Sequence, residues 1–427
     1  MTARGRRRAG LVIYTCVLVV VAGSAGPIPF VRALVYAAKP NDLTPDYVAA
    51  HAWLHGGPHG PGAAAVLDGE AGNVYGASIG AAHVRLLAAY YVHPPTAFLM
   101  LMPLVPFGYH AAVGIWLLLS IASLALLSHL LLSATGWIAG GAARLALFAA
   151  LLFWPPVVLN LELGQWSIFL ATAIAAGHAA WERGQHRRGA AWFAAAVAFK
   201  LTPILLLPFV ALRDRRATAV LVATLAVAAA LSLAAGQLDA WHQFFQHSAP
   251  NVAVWQAHPH NTLSLSGLLA RLLIGGPFAR PLALAPAWAR ALGLAGEAVL
   301  AGIALWLTAA RSGLPSDRLR DGCCFALWNI VMIVANPLAW AHYAILLLLP
   351  MALILRAADL RAAEARTMRA LVSVALIAFT IPVDTIDNLV RPLPAVPAAS
   401  FLISFPLLGA LLLFVAAGLG ARARSPG

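Results

Sequence analysis

The chain has 427 residues, of which 62% are hydrophobic and 10% charged, and its mean hydropathy is +0.83. That balance excludes a water-soluble globule and defines a polytopic membrane protein. The net charge of +13 does not point to nucleic acid, because the arginines fall in short clusters between apolar runs, where the positive-inside rule places cytoplasmic loops.

The N-terminus MTARGRRRAG, followed by LVIYTCVLVVVAGSAG, resembles a signal peptide. The apolar run continues through IPFVRALV into a chain that is itself membrane-embedded, so it reads as an uncleaved first span running from inside to outside. Next comes Lys39 to Gly57, KPNDLTPDYVAAHAWLHGG, which carries Asp42 and Asp46 in a protein with few carboxylates. An acid just outside a helix end, followed by an amphipathic run that can lie on the bilayer, has the parts for interfacial catalysis.

Arginine clusters at 183 to 188, 213 to 216, 311 to 320, 356 to 369 and 421 to 424 mark cytoplasmic loops, and both termini fall on that side. Apolar runs near 110 to 132, 142 to 160, 165 to 181, 217 to 235, 290 to 310, 322 to 338, 341 to 356, 370 to 386 and 400 to 420 fit between them. Each approaches the roughly 17 to 25 residues of a bilayer crossing. Pro94 to Phe107 is interrupted by prolines. The segment 189 to 212 lies between two inside clusters and is apolar except for Lys200. It is either a helical hairpin turning at Lys200 to Pro203 or a single tilted span with one misassigned loop.

With that topology, Asn160 to Trp166 (NLELGQW), the loop from Gly236 to Gly267, Asn336 to His342 (NPLAWAH) and Asp384 to Arg391 (DTIDNLVR) share the outer side with Asp42. Polar residues gathered opposite the arginine loops point to an outward-facing site. Each group also has a plain reading. Asn160, Glu162 and Gln165 suit a capped interhelical turn, and His342 suits a hydrogen bond to a neighbouring helix. His258, His260, Asn261 and Ser264, with Arg271 nearby, suit either a solvated loop or a phosphate grip. The cysteines, Cys16 and the adjacent Cys323 and Cys324, imply no disulfide framework or zinc site, and no cofactor is expected, with metal dependence not legible from the sequence. No HExxH, Walker loop, GxSxG or kinase signature occurs.

Taken in order, DLxxxYxAAxxxLxGG, YxxPPxxxLxxxPL, NxxxGQW, AxKLTPxLLLP, HNxLSLxGLLARLL and NPLAWAHY resemble the membrane glycosyltransferases of family 87, the polyprenyl-phosphate-mannose-type mannosyltransferases of the GT-C class. The resemblance covers residues 10 to about 355. It implies an all-α, GT-C-type multi-span bundle forming a single domain over 1–427, with juxtamembrane helices in the first outer loop, 31–92. It also implies a polyprenyl-phosphate sugar donor, a lipid or glycan acceptor, and transfer of a mannose-like hexose on the outer face of the plasma membrane. The family's acid, opening the first outer loop, matches Asp42. Members commonly have an aromatic residue where Asp46 stands and a second His, absent here, before the residue matching Tyr343; these departures make Asp46 a possible second acid and leave room for a different donor sugar or acceptor.

Chemically, Asp42 would take the acceptor hydroxyl's proton during attack on the anomeric carbon, with inversion. His260, His342, Lys200 and Arg271 would offset the leaving phosphate's charge, and His258, Asn261 and Gln165 complete the expected donor or substrate contacts. The donor's tail would run along walls formed by the segment from Pro94 and the helices after Asp42. A transporter or flippase of lipid-linked sugars shares the composition but usually shows an internal repeat, and no self-similar halves occur here. A structural subunit of an envelope complex would explain neither Asp42 nor the motif order.

Overall fold

The computed structural model describes residues 31, 35, 42–56, 93–136, 140–235, 238–245, 252, 255–275, 280–310, 317–360, 364–382, 385 and 397–422. The expected N-terminal span, the later part of the first outer loop and most of Asp384 to Arg391 lie outside them. Among the described residues the regular structure is helical throughout. The chain is an all-α polytopic membrane protein.

Helix α1 (Leu43–Gly56) is followed by α2 (Thr96–Leu101), a 3-10 turn (Met102–Phe107) and the long α3 (Tyr109–Thr135). The run expected near 142 to 160 is broken into α4 (Gly141–Leu152) and α5 (Pro155–Leu163), bent by 61°. Pro155 and Pro156 have no amide hydrogen to continue α4, but their fixed φ suits the first turn of a new helix. Then come α6 (Ser167–Glu182), α7 (His186–Phe199), a 3-10 turn (Thr202–Leu206), α8 (Leu207–Arg213) and α9 (Arg215–Ala234). The second half contains α10 (Leu238–Gln243), α11 (Leu265–Leu273), α12 (Pro286–Ala309) and α13 (Arg318–Val334). A 3-10 segment (Ala341–Leu347) leads into α14 (Leu348–Leu360), followed by α15 (Ala365–Thr380), α16 (Pro397–Ile403) and α17 (Phe405–Arg422).

Among the described residues, five helical stretches, α3, α9, α12, 341–360 and α17, are long and apolar enough to cross a membrane, and the bent α4–α5 pair would be a sixth. The helices α6, α13 and α15 are shorter, at 16, 17 and 16 residues; α6 and α13 are largely buried, while α15 leaves Val374 and Ile377 exposed. α13 is the axis of the bundle: Gly322 to Val334 are all buried, and it packs against α12, α14, α17 and the 202–206 turn. α12 shows the opposite pattern. Ala289, Gly293, Ala304 and Leu307 form a buried stripe, while Trp288, Leu294, Val299 and Trp306 are exposed. A helix with so narrow a buried stripe and so broad an apolar outer face is solvated by lipid.

The segment around Lys200 is a hairpin. Lys200 is extended (φ −154°, ψ 132°), and Pro203 keeps α7 from continuing. The two legs, α7 and the 202–213 stretch, are each about 20 Å long at the rises of α- and 3-10 helices. Their far ends meet where His186 Nδ1 lies 2.9 Å from Asp214 Oδ2. Asp214 also caps α9, accepting from the amides of Arg216 and Ala217, and these bonds hold its carboxyl below the usual range. α6 and α7 approach closely at Gly177 and Gly189, where an added Cβ on Gly177 would run into the Phe193 ring.

These arginine-rich loops are tied together at one end of the bundle. Arg356 donates to Glu182 at 2.6 and 2.8 Å, Arg213 pairs with Asp321 at 2.7 Å, and Arg320 donates to the carbonyls of Leu307 and Ala421. The Lys200 turn and the residues following α13 lie at the other end, about 25 Å away along a 17-residue helix.

Candidate functional site at the Lys200 end of the bundle

Asp42 immediately precedes α1, and its amide donates to Leu163 O at 3.1 Å. This docks the start of α1 on the C-terminus of α5. α5 stops at Gly164, whose left-handed φ of 66° is open to glycine, and the turn is closed by Asn160 Nδ2 donating to Gln165 O and by Gln165 N donating to Asn160 O. The turn therefore serves both readings of the motif: Asn160 caps it, and Gln165 reaches out of it to donate from Nε2 to Asp42 Oδ2 at 2.6 Å. Glu162 lies half-buried on α5. Burial pushes the Asp42 carboxyl above its usual range, and the Gln165 hydrogen bond with the nearby His93 and Lys200 opposes that rise.

α1 is held inside the protein. Leu43, Thr44, Asp46, Tyr47 and Ala50 are buried; Thr44 Oγ1 and Tyr109 Oη lie 2.7 Å apart, and Tyr47 Oη donates to Val105 O. One turn after Asp42, Asp46 is 1% exposed and accepts from Trp166 Nε1 at 2.8 Å. His93 Nδ1 lies 3.0 and 3.1 Å from its two oxygens. The Trp166 indole is wedged among Trp116, Phe169 and Phe199, so the group that grips Asp46 is itself fixed.

Lys200 stands at the hairpin tip with Nζ 4.6 Å from the centroid of the Tyr343 ring, and Thr96 ties α2 to the same tip by donating to Ala198 O at 2.6 Å. His342, in the segment that opens 341–360, is 2% exposed and within electrostatic reach of Lys200, His260 and His93. Neither of its ring nitrogens has a hydrogen-bond partner among the described residues. Leaving a buried polar group unsatisfied costs about 1 to 3 kcal/mol, so an imidazole with two such nitrogens is an arrangement a ligand would complete.

The loop before α11 is laid along the chain that carries His342: Ala341 N donates to His260 O at 3.1 Å and Leu263 N to Ala339 O at 3.0 Å. His258 stacks on Trp340, with ring centroids 5.0 Å apart and planes at 3°. Burial, with the charges of His260 and Arg271, lowers its pKa to about 4, so it is a neutral ring at pH 7. Asn261 Nδ2 donates to the carbonyls of Gln256 and Pro337. Arg271 is fully buried and donates from its two terminal nitrogens to His258 O, Asn261 O and Ser404 Oγ. Burial lowers its pKa to about 9, which leaves it charged at neutral pH. Ser264 caps α11 by accepting from Gly267 N.

The structure thus brings Asp42, Asp46, Gln165, Lys200, His260 and His342 to one end of the bundle, and sets Asn261 and Arg271 as braces of the loop that bears the two histidines. It adds His93 and Trp166, which sequence reasoning passed over although both stand inside motifs it used, directly before Pro94 and directly after Gln165. Beside Ser404, an apolar groove of about 610 Å³ runs between α11 and the α16–α17 corner, lined by Leu268, Phe401, Leu402, Phe405 and Leu408.

Fold and site together define a polytopic membrane protein in which carboxylates, imidazoles and an ammonium group converge at one end of the helical bundle. The model of glycosyltransferase family 87 matches residues 91–332, more than half of the chain, and the chain belongs to that family. It is a membrane glycosyltransferase, acting on a sugar donor and an acceptor. The matched span includes the Asn160–Trp166 turn, Lys200 and the loop from His258 to Arg271; Asp42, Asp46 and His342 lie outside it. No curated protein and no solved structure matches the chain.

Proposed function

We propose that the protein moves a mannose-like hexose from a polyprenyl-phosphate donor to a lipid or glycan acceptor at the outer face of the plasma membrane, with inversion and with Asp42 as general base. The observation that carries this reading is the meeting of two kinds of group at one end of the bundle. One is a carboxylate aimed by Gln165; the other is Lys200 with a buried His342 whose two ring nitrogens have no hydrogen-bond partner among the described residues. A sugar hydroxyl is far too weak an acid to ionise at pH 7, so a positioned base must take its proton as the new glycosidic bond forms. A carboxyl pushed upward by burial is a stronger base than an ordinary one and stays ionised above its raised pKa.

As the bond from the anomeric carbon to the phosphate oxygen breaks, the electron pair leaves with the phosphate. A fixed ammonium and imidazoles held out of water stabilise that charge without having to reorganise. Lys200, His342 and His260 have this role. Arg271 adds a buried positive charge beneath the loop and keeps His260 in place, while His258 and Asn261 shape the wall. The apolar groove beside Ser404 suits an isoprenoid tail, in place of the walls near Pro94, because it is open, lined by hydrocarbon and reached from the same loop through Arg271.

The outer-face assignment is supported by the separation of the two poles. The arginine loops meet at one end, which the positive-inside rule assigns to the cytoplasm together with both termini. Reporters fused after Gly184 and after Leu314 should therefore read cytoplasmic, and one inserted near Gly60 external; a cytoplasmic reading near Gly60 sinks the outer-face site. The activity is tested with purified full-length protein in nanodiscs, where no gradient exists and a transporter has nothing to catalyse. Sugar should pass from a polyprenyl-phosphate donor to a lipid or glycan acceptor with the anomeric centre inverted. Absence of transfer with every lipid-phosphate sugar overturns the donor assignment.

A further inference from the structure

We infer that Asp46 and His93 act as one unit, a carboxylate-backed imidazole that sets the charge beside Asp42, so that His93 is a positioning residue for the base and Asp46 is its anchor; the inference rests on Asp42 being the base of the transfer proposed above.

Two carboxylates four residues apart, Asp42 just before α1 and Asp46 in its first turn, repel one another and oppose ionisation of the pair. Asp46 is placed so that it cannot itself take a proton from an acceptor. Its Oδ2 accepts from the Trp166 indole at 2.8 Å, both oxygens lie within 3.1 Å of His93 Nδ1, and the residue is 1% exposed. The three partners come from separate elements: Asp46 from α1, His93 from the chain entering α2, and Trp166 from the turn before α6. That turn also carries Gln165, the donor to Asp42, so the Asp46 clamp and the Asp42 clamp are neighbours in sequence.

His93 lies within electrostatic reach of both Asp42 and His342, between the carboxylate side of the site and its phosphate side. Through space His93 opposes the burial-driven rise of the Asp42 carboxyl, which favours the ionised base. Among the described residues, Lys200 acts on Asp42 and His342 on His93, with His260 beside His342, while His51 and His110 pack on Tyr47 and Tyr109. The phenols of Tyr47 and Tyr109 are engaged with Val105 O and Thr44. No bond to substrate is asked of His93; it acts through Asp42.

The test compares wild type, His93→Gln, Asp46→Asn and the double variant as full-length protein in nanodiscs. kcat/KM for transfer from a polyprenyl-phosphate sugar is followed from about pH 5 to about pH 9. Removing a positive charge beside a carboxylate raises its pKa, so the acid limb in His93→Gln should move to higher pH by about one unit. In the Asp46→Asn background the same change should move the limb by less than half as much, because the imidazole has lost the carboxylate that holds it beside Asp42. A purely structural role for His93 lowers the rate equally at all pH values, and that result overturns the inference. Equal limb shifts in both backgrounds show that the two residues are not a unit. A second readout needs no substrate: the imidazole NMR signal that His93→Gln removes should change its chemical shift in Asp46→Asn, because its Nδ1 loses a carboxylate partner. An unchanged signal overturns the pair even if the donor has been misidentified, whereas failure of the wild type to transfer sugar counts only against the transfer reading.

Discussion

Asp42→Asn should lower sugar transfer by about 10²- to 10⁴-fold while leaving donor binding largely intact. The replacement keeps the size of the side chain and an oxygen that can accept from Gln165 Nε2, so the geometry after Leu163 has no reason to change. What it loses is the ability to take the acceptor's proton. The effect separates from folding by its sign. A carboxyl whose pKa is raised in the folded protein holds its proton more tightly there than in the unfolded chain. Its contribution to stability is complete below the unfolded value near 3.8 and is lost as pH rises through the folded value. Asp42→Asn, which cannot ionise, should therefore be at least as heat-stable as wild type at pH 7. Full transfer activity in Asp42→Asn, or a loss confined to Asp46→Asn, would move the base elsewhere.

The second large effect is expected on the leaving-group side. Lys200→Met keeps an apolar stem over the Tyr343 ring and removes the charge, and His342→Ala removes the two unpartnered ring nitrogens. Each should reduce kcat/KM by about 10²- to 10³-fold, the range for deleting one preorganised group that meets charge developing in the transition state. For His342 the accompanying stability change is informative. Loss of buried, unsatisfied nitrogens offsets the cavity left behind, so the folded protein should tolerate the change better than most core truncations. Thermal unfolding in detergent, run beside the transfer assay, tells the two effects apart. Wild-type rates in both variants with a polyprenyl-phosphate donor would put the phosphate site elsewhere.

The difference between Lys200 and Arg271 shows why residue type alone was an incomplete guide. Both are cations in apolar surroundings close to motif residues, and both were reasonable phosphate partners from the sequence. Arg271 turns out to face two backbone carbonyls and a serine, whereas Lys200 sits at the tip of a hairpin facing an aromatic ring and the site. Which way a side chain on an amphipathic stretch points depends on what packs behind it. Here that is the α16–α17 corner, 133 residues further along the chain.

The sequence by itself determined the class of the protein. Hydropathy is a sum over neighbouring residues, the arginine clusters are local, and proline dictates a break wherever it falls, so the polytopic all-α architecture and the common end of the arginine loops were legible without coordinates. The two readings of 189 to 212 were not separable in that way. A hairpin and a tilted span have the same composition, and the contact that decides between them, His186 to Asp214, joins residues 28 apart. The division of 142 to 160 into two helices bent by 61° follows from Trp154-Pro155-Pro156, but the angle is a matter of packing. The site was partly visible: Asp42, Gln165, Lys200 and His342 each stood in a motif, yet nothing local pairs them. Only the tertiary structure decided that Gln165 reaches Asp42 across 123 residues and that Asp46 is claimed by Trp166 and His93, across 120 and 47. The physical reason is that hydrogen bonds over such separations form only after the helices that carry them have packed, and that packing is governed by the buried faces of all the helices together.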